Sequence, residues 1–183
     1  NIQNRFKSSI MNNSQNIFEK NIHDEIIFLL SDIGNFFNKK GDLVAKKAGL
    51  TTLQWIVLLN IARDPNLPFA KNTEAPHPGV LASEIATNRG VSRANISPII
   101  STLINNEYIT QKDHPTDRRR KTLHVSEKGM SALKSIQNER RFLNDRLFDT
   151  ISENDQTVLV NSLQHLLKTV SGFPHAEEQK IIL

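Results

Sequence analysis

Pro115-Thr116-Asp117-Arg118-Arg119-Arg120-Lys121 runs straight into Thr122-Leu123-His124-Val125-Ser126, a cationic turn leading into an alternating apolar pattern. Leu123 and Val125 are apolar at alternate positions, the period of a strand with one covered face. Just upstream, Tyr108-Ile109-Thr110-Gln111-Lys112 reads as the strand that enters the same tip. Together they predict a β-hairpin with cations at its end. From Lys112 to Lys121 there are five cations and two carboxylates.

Two short helices precede the hairpin. Leu81, Ile85 and Ala86 form the apolar side of the first, which Gly90 ends. Ser92 is the expected N-cap of the second. The inner face of that second helix is Ile96, Ile99 or Ile100, Leu103 and Ile104. Its outer face is Arg93, Asn95, Ser97, Ser101 and Asn105. Two helices on a tight turn followed by a basic hairpin are the parts of a winged helix-turn-helix. The formal charge of the whole chain is only +4. A compact basic spot on a near-neutral body suits local contact with phosphate, and the partner expected is duplex DNA.

The flanks are helical. Ile22, Ile26, Leu29, Ile33 and Phe36 step by four, three, four and three, the spacing of a seam facing another helix. Gly41 and Gly49 bracket its end. Thr51 or Thr52 caps a helix holding Trp55, Ile56, Leu58, Leu59 and Ile61. After the hairpin, Ser126 caps a long helix reaching about Ile151, with Leu133, Ile136, Leu143 and Leu147 on one stripe. Ser152 caps the last helix, with Leu159, Leu163, Leu166 and Val170, and Gly172 and Pro174 stop it. The fold class is mainly α. The organisation predicted is a polar arm over 1–21, an N-terminal dimerisation helix over 22–49 and the winged helix-turn-helix over 50–126. C-terminal dimerisation helices follow over 127–170, and a loose tail over 171–183. The stripes at both ends exceed what so small a central module can cover, which favours a homodimer. Between Asp64 and Gly79 lie Pro65, Pro68, Pro76 and Pro78, so that stretch is a long loop.

Composition closes off other classes. There is no cysteine, hence no disulfide and no thiolate metal site. No apolar run approaches the roughly 20 residues of a membrane span. Residues 1–20 lack the apolar centre of a signal peptide, so a cytoplasmic location is expected. None of the six histidines forms a pair at metal-binding helical spacing, and no metal or other cofactor is predicted. Neither a nucleophile turn nor a glycine-rich phosphate loop is present, so the chain does not read as an enzyme.

The outer residues of the second helix carry the chemistry of base reading. Arg93 can donate two parallel bonds to guanine, and Asn95 can pair bidentately with adenine. Ser97 can bond a base or a phosphate, while Ser92 and Ser101 extend the same face. The plainer alternative gives Arg93 and Ser92 to phosphate and Asn95 to the helix start. At the hairpin tip, Arg119 suits a narrow minor groove, and Arg118, Arg120 and Lys121 suit phosphates. Asp117 is read as a wing-orienting residue that pairs with a neighbouring arginine. His114, beside the tip, is read as a group that would strengthen phosphate contact as pH falls.

Residues from about Leu50 to Val170 resemble the MarR family of bacterial and archaeal transcription regulators. The resemblance is carried by Leu81-Ala82-Ser83-Glu84-Ile85-Ala86, Gly90-Val91-Ser92-Arg93-Ala94-Asn95-Ile96-Ser97 and Leu103-Ile104. It continues through Tyr108-Ile109, Asp117-Arg118-Arg119, Leu123-His124-Val125-Ser126 and Gly129. The family's wing pattern is an Asp-x-Arg tip, a short strand and a Ser/Thr-x-x-Gly helix start. Here these are Asp117, Arg119, Ser126 and Gly129. The resemblance implies a homodimer with interlocked terminal helices, recognition helices in major grooves and wings at adjacent minor grooves. It also implies, for many relatives, a pocket for a small aromatic or apolar anion. Phe36, Phe37 and Trp55 are the candidates to line it, with core packing as the alternative. Lys39, Lys40 or Arg63 would supply charge. Two departures stand out. Pro98 lies where many relatives have a polar or basic residue, and it must bend the helix or delay its start. The Asp64–Gly79 loop is longer than the usual link. The function expected is a sequence-specific regulator of transcription. The rivals are a winged-helix module that binds protein and an architectural DNA binder without regulatory output.

Overall fold

The structure, a computed structural model, describes residues 19–68 and 79–171. The polar arm up to residue 18, residues 69–78 of the proline-rich loop and the tail from 172 lie outside the described residues. The chain divides into two compact units, Asn1–Lys40 and Gly41–Leu183.

The first unit contains most of helix α1, Ile22–Lys46. Asn21 starts it: its side-chain oxygen accepts the His23 N–H at 2.8 Å, and its carbonyl accepts the Glu25 N–H at 3.0 Å. Asp24 and Glu25 then place negative charge where the first-turn amides carry partial positive charge. Ile22, Ile26, Leu29, Ile33 and Phe36, the predicted seam, are exposed on this single chain.

The second unit opens with the end of α1 and a turn closed by Gly49 at φ +71°. Helix α2 is Thr52–Ala62. Of the two threonines the sequence offered as its cap, Thr51 takes the role. Its hydroxyl accepts the Gln54 N–H at 3.2 Å, and the Gln54 side chain accepts the Thr51 N–H at 2.9 Å. Thr52 instead donates to Asp42, from its backbone N–H and its hydroxyl, which holds the Asp42 carboxyl below its usual value. Val57, Leu58 and Ile61 turn inward. Arg63 closes α2 in the left-handed region, φ 57°, and its guanidinium donates to the Gly79 carbonyl at 3.2 Å. One side chain thus joins the two ends of the long loop.

The loop leads into a strand that periodicity did not reveal: β1, Val80–Leu81. Leu81, expected in the following helix, belongs to this strand. Helix α3, Ala82–Asn88, begins directly after it, with the Glu84 carboxylate accepting the Leu81 N–H at 2.7 Å. Gly90, φ +62°, makes the turn to α4, Arg93–Asn105. β2, Ile109–Asp113, and β3, Lys121–Val125, form the hairpin, and β1 adds to the free side of β3, giving the order β1-β3-β2. All pairs are antiparallel, with Val80 opposite Leu123 and Gln111 opposite Leu123 on the other side.

Helix α5, Glu127–Phe148, starts at Ser126, whose hydroxyl accepts the Gly129 N–H at 3.0 Å and donates to the Glu107 carbonyl. Its predicted stripe splits. Leu133 and Ile136 are buried, whereas Leu143 and Leu147 stay exposed. Helix α6, Glu153–Ser171, has no buried residue, and Leu159, Leu163 and Leu166 are exposed on one chain. The core is thus the winged-helix part: Leu58, Ile85, Ile96, Leu103, Ile109 and Leu123 are all at most 2% exposed. Tyr108 ties it to the first turn through its hydroxyl, which donates to Ala48 O at 2.7 Å.

Candidate nucleic-acid interface

The wing is a braced lever. β3 carries a hydrogen-bonded neighbour on each side, so the hairpin cannot twist freely as an isolated ribbon would. Beyond the strands, the His114 N–H still donates to the Arg120 carbonyl at 3.0 Å, which narrows the tip to Pro115–Arg119. Inside the tip, the Arg120 N–H donates to Asp117 O at 2.9 Å, and the Arg119 N–H donates to the Asp117 carboxylate at 3.0 Å. Asp117 therefore fixes the tip through backbone amides. The expected pairing with a neighbouring guanidinium is replaced by this turn, because a carboxylate two residues before an amide reaches it with no long side chain to immobilise.

The consequence is electrostatic. Arg118, Arg119 and Arg120 are exposed, and among the described residues no carboxylate pairs with any of them. Lys121 differs: its ammonium pairs with Asp113 across the ladder, so it is already engaged. His114 also departs from expectation. It is 8% exposed, and its Nδ1 faces the Thr116 N–H at 3.4 Å and the Thr116 hydroxyl at 3.2 Å. It underpins the tip from inside and does not face outward toward phosphate. On β3, burial, and then the nearby Lys112 ammonium, lower the His124 pKa below its usual value, which favours the neutral ring. Its Nε2 sits 3.0 Å from the Thr122 hydroxyl.

The second helix presents the predicted outer face. Ser92, Arg93, Asn95, Ser97 and Ser101 are all exposed, and Ile96, Ile100 and Leu103 are buried on the opposite side. Ser92 holds the N-cap position, but its hydroxyl makes no capping bond; its carbonyl accepts the Asn95 N–H at 3.1 Å. Ser97 and Ser101 turn back on the helix, donating to the carbonyls of Arg93 at 2.8 Å and Ser97 at 3.0 Å. In this rotamer each keeps only acceptor capacity. Either hydroxyl must rotate before it can donate to a phosphate oxygen. The helix runs unbroken from Arg93 through Pro98, so the delayed start that Pro98 suggested does not occur.

Two further exposed cations border this surface. Arg89 lies in the turn between α3 and α4, and Lys112 lies on β2. Their signal was a cation immediately before Gly90 and one within the strand entering the tip. The aromatic candidates fall into two settings. In the first unit, the Phe36 and Phe37 rings meet edge to face at 5.9 Å, and the Lys40 ammonium lies 5.7 Å from the Phe36 ring centre. In the second, Trp55 is half-buried against the core cluster, which is the packing alternative. Among the described residues no helix is long and apolar enough to cross a membrane.

Comparison with known proteins agrees with this geometry. The model of the MarR family matches residues 50–121. A protein of Thauera aromatica named as a transcriptional regulatory protein for the hcr operon is 28% identical over 100 residues, covering 55% of this chain and 60% of its own. The chain thus spans about three-fifths of that curated relative. Among solved structures, CouR from Rhodococcus jostii RHA1, bound to p-coumaroyl-CoA, superposes with a TM-score of 0.65 at 19% identity. That match covers 85% of this chain and 98% of CouR. A MarR family regulator from Listeria monocytogenes complexed with 26mer DNA gives 0.65 at 18% identity, covering 84% and 91%. The structural likenesses establish the fold, and the family model covers the helix pair, the first wing strand and the basic tip. Over residues 50–121, its winged helix-turn-helix part, the chain is similar to the MarR family.

Proposed function

We propose that this chain is a sequence-specific, double-stranded DNA-binding regulator of transcription that acts as a homodimer on a pseudo-palindromic site. The observation that carries the reading is the set of three guanidiniums that no carboxylate pairs among the described residues, on a tip held rigid by Asp117 and by a three-stranded sheet. A rigid projecting cation cluster beside an exposed helix face has the shape of a duplex clamp. The helix reads base edges through Arg93 and Asn95, while Arg118, Arg119 and Arg120 grip the backbone and minor groove. Ser92, Ser97 and Ser101 supply short polar contacts on the same face. Lys121 contributes where phosphate competes with Asp113 for it.

Dimerisation is assigned to α1, through Ile22, Ile26, Leu29 and Ile33, and to α6, through Leu159, Leu163 and Leu166. These exposed apolar stripes exceed what a monomer's surface normally carries. Two symmetry-related recognition helices then meet half-sites about 10 bp apart. A small aromatic or apolar anion is the effector class we assign, and Phe36 and Phe37 with Lys40 above the ring supply the chemistry for it. Such a ligand acts by favouring one dimer shape over another.

Selection of bound sequences from a random duplex library tests the whole reading. A two-fold symmetric motif with half-sites about one helical turn apart is expected, with affinity falling steeply as salt rises. Absence of binding to any duplex at low salt would overturn it in favour of a protein-binding winged helix. Binding without any enriched motif would favour an architectural role.

A further inference from the structure

The middle of the exposed face of α4 is occupied by Pro98, the least favourable residue for a helix interior. Pro98 sits well past the first turn, where a missing amide would cost nothing. Its ring is exposed, so core packing does not explain it. On the helical wheel it lies beside Ala94 and Ser101 and nearly opposite Ile96 and Leu103, which are buried. It therefore stands near the centre line of the outward face, with Asn95 about 60° to one side of it at the helix start.

Two chemical properties follow. The ring offers an apolar surface with no donor. Pro98 also has no N–H for the Ala94 carbonyl four residues before it. The side-chain hydroxyls of this helix do not replace that donor: Ser97, Ser101 and Thr102 donate to Arg93, Ser97 and Pro98 carbonyls. Ala94 is itself exposed. An apolar disc beside an under-used acceptor matches one pattern on the major-groove floor. The thymine C5-methyl is the only apolar group there, and exocyclic amino groups of adenine or cytosine are its donors.

We infer that Pro98 is a specificity-determining residue whose ring covers the methyl group of a thymine, with the Ala94 carbonyl accepting from an amino group beside it. The inference rests on the DNA-binding reading given above. Uracil lacks only that methyl group, so it isolates the contact. In duplexes carrying the selected site, each thymine is replaced singly by uracil, and affinity is measured for the unmodified chain and for Pro98→Gly. The unmodified chain should lose about three- to fourfold at one thymine in each half-site, the worth of one methyl-sized apolar contact. Pro98→Gly, which removes the ring and restores an amide, should bind thymine and uracil equally at that position. Loss of the methyl response at that position alone supports the inference. No response to uracil at any thymine, a half-site without thymine, or an undiminished response in Pro98→Gly overturns it. The scan of the unmodified chain needs no variant to fold. Failure to bind any duplex at low salt would sink the DNA-binding reading itself, a result distinct from binding that ignores the methyl group.

Discussion

At the scale of single residues, Arg119 and Gly129 make opposite demands on the fold. Arg119 has its backbone N–H fixed by Asp117, and no carboxylate among the described residues pairs with its exposed guanidinium, so its side chain contributes little to folding. Arg119→Ala should leave the unfolding midpoint unchanged and weaken DNA binding about tenfold. The slope of log affinity against log salt should fall by about one contact. Titration by fluorescence anisotropy across a salt series measures both, and an unaltered affinity removes the wing from the interface. Gly129 is the reverse case. A Cβ there would run into the Tyr108 carbonyl and lie 2.9 Å from Val125 Cγ1. That carbonyl also accepts the Ser126 N–H at 3.1 Å, so it cannot withdraw cheaply. Alanine usually improves a helix over glycine by about 0.5–1 kcal/mol. Here overpacking wins, and Gly129→Ala should destabilise by about 2 kcal/mol in urea unfolding. A rise in stability would mean that α5 can shift away from Tyr108. The glycine was legible only through the Ser-x-x-Gly pattern at Ser126. Its reason, the close passage of the Tyr108 backbone, is a tertiary fact that no local spacing contains.

At the scale of elements, legibility followed how far each element depends on its own residues. The hairpin was readable because Leu123 and Val125 alternate and the charges concentrate at one turn. α4 was readable because Ile96, Ile100 and Leu103 repeat at helical spacing. β1 was not, since two residues carry no period and Val80–Leu81 becomes a strand only by pairing with Leu123 and Thr122. The tie between α2 and α5 was equally hidden. Asp64, just past α2, accepts from the Arg140 guanidinium at 2.7 Å, with the two side chains 11% and 17% exposed. Burial alone would raise the Asp64 pKa. The Arg140 hydrogen bond and the Asn66 donors at 2.9 and 2.8 Å outweigh it, and the net shift is downward. A carboxyl held below its unfolded value of 3.8 contributes stability above that pH, and loses it as pH falls through the folded value. Arg140→Gln leaves the carboxylate nearly buried without its cation, at a cost of about 3 kcal/mol at neutral pH. The variant's acid unfolding should therefore begin at a higher pH than that of the unmodified chain. His124, lowered from 6.5, adds a separate loss as pH drops below that value, because the unfolded ring takes up a proton first. Circular dichroism followed from pH 8 to pH 2 would test both signs. Identical acid limbs for Arg140→Gln and the unmodified chain would remove the pair from the account.

At the scale of the whole molecule, the proportions of the chain argue for a second copy. The winged-helix core buries most of its large apolar side chains. By contrast α1 exposes Ile22, Ile26, Leu29 and Ile33, and α6 buries nothing at all. Composition could never have separated these two populations, because the same isoleucines and leucines serve both; only burial on a single chain does. The regular spacing of the α1 stripe suggests a seam, but the surface it would meet is not encoded in that spacing. If α1 is the seam, charge placed there should separate the copies while the core stands. Ile26→Glu with Leu29→Glu is expected to give a monomer by sedimentation velocity, with the helical circular dichroism signal largely kept. DNA affinity should then fall by about a hundredfold or more, since each recognition helix loses the effective concentration that its partner provided. The remaining binding should follow a single half-site, indifferent to the distance to the other. A dimer that persists with full affinity would place the seam elsewhere, and α6, with Leu159, Leu163 and Leu166 equally uncovered, would be the element to charge next.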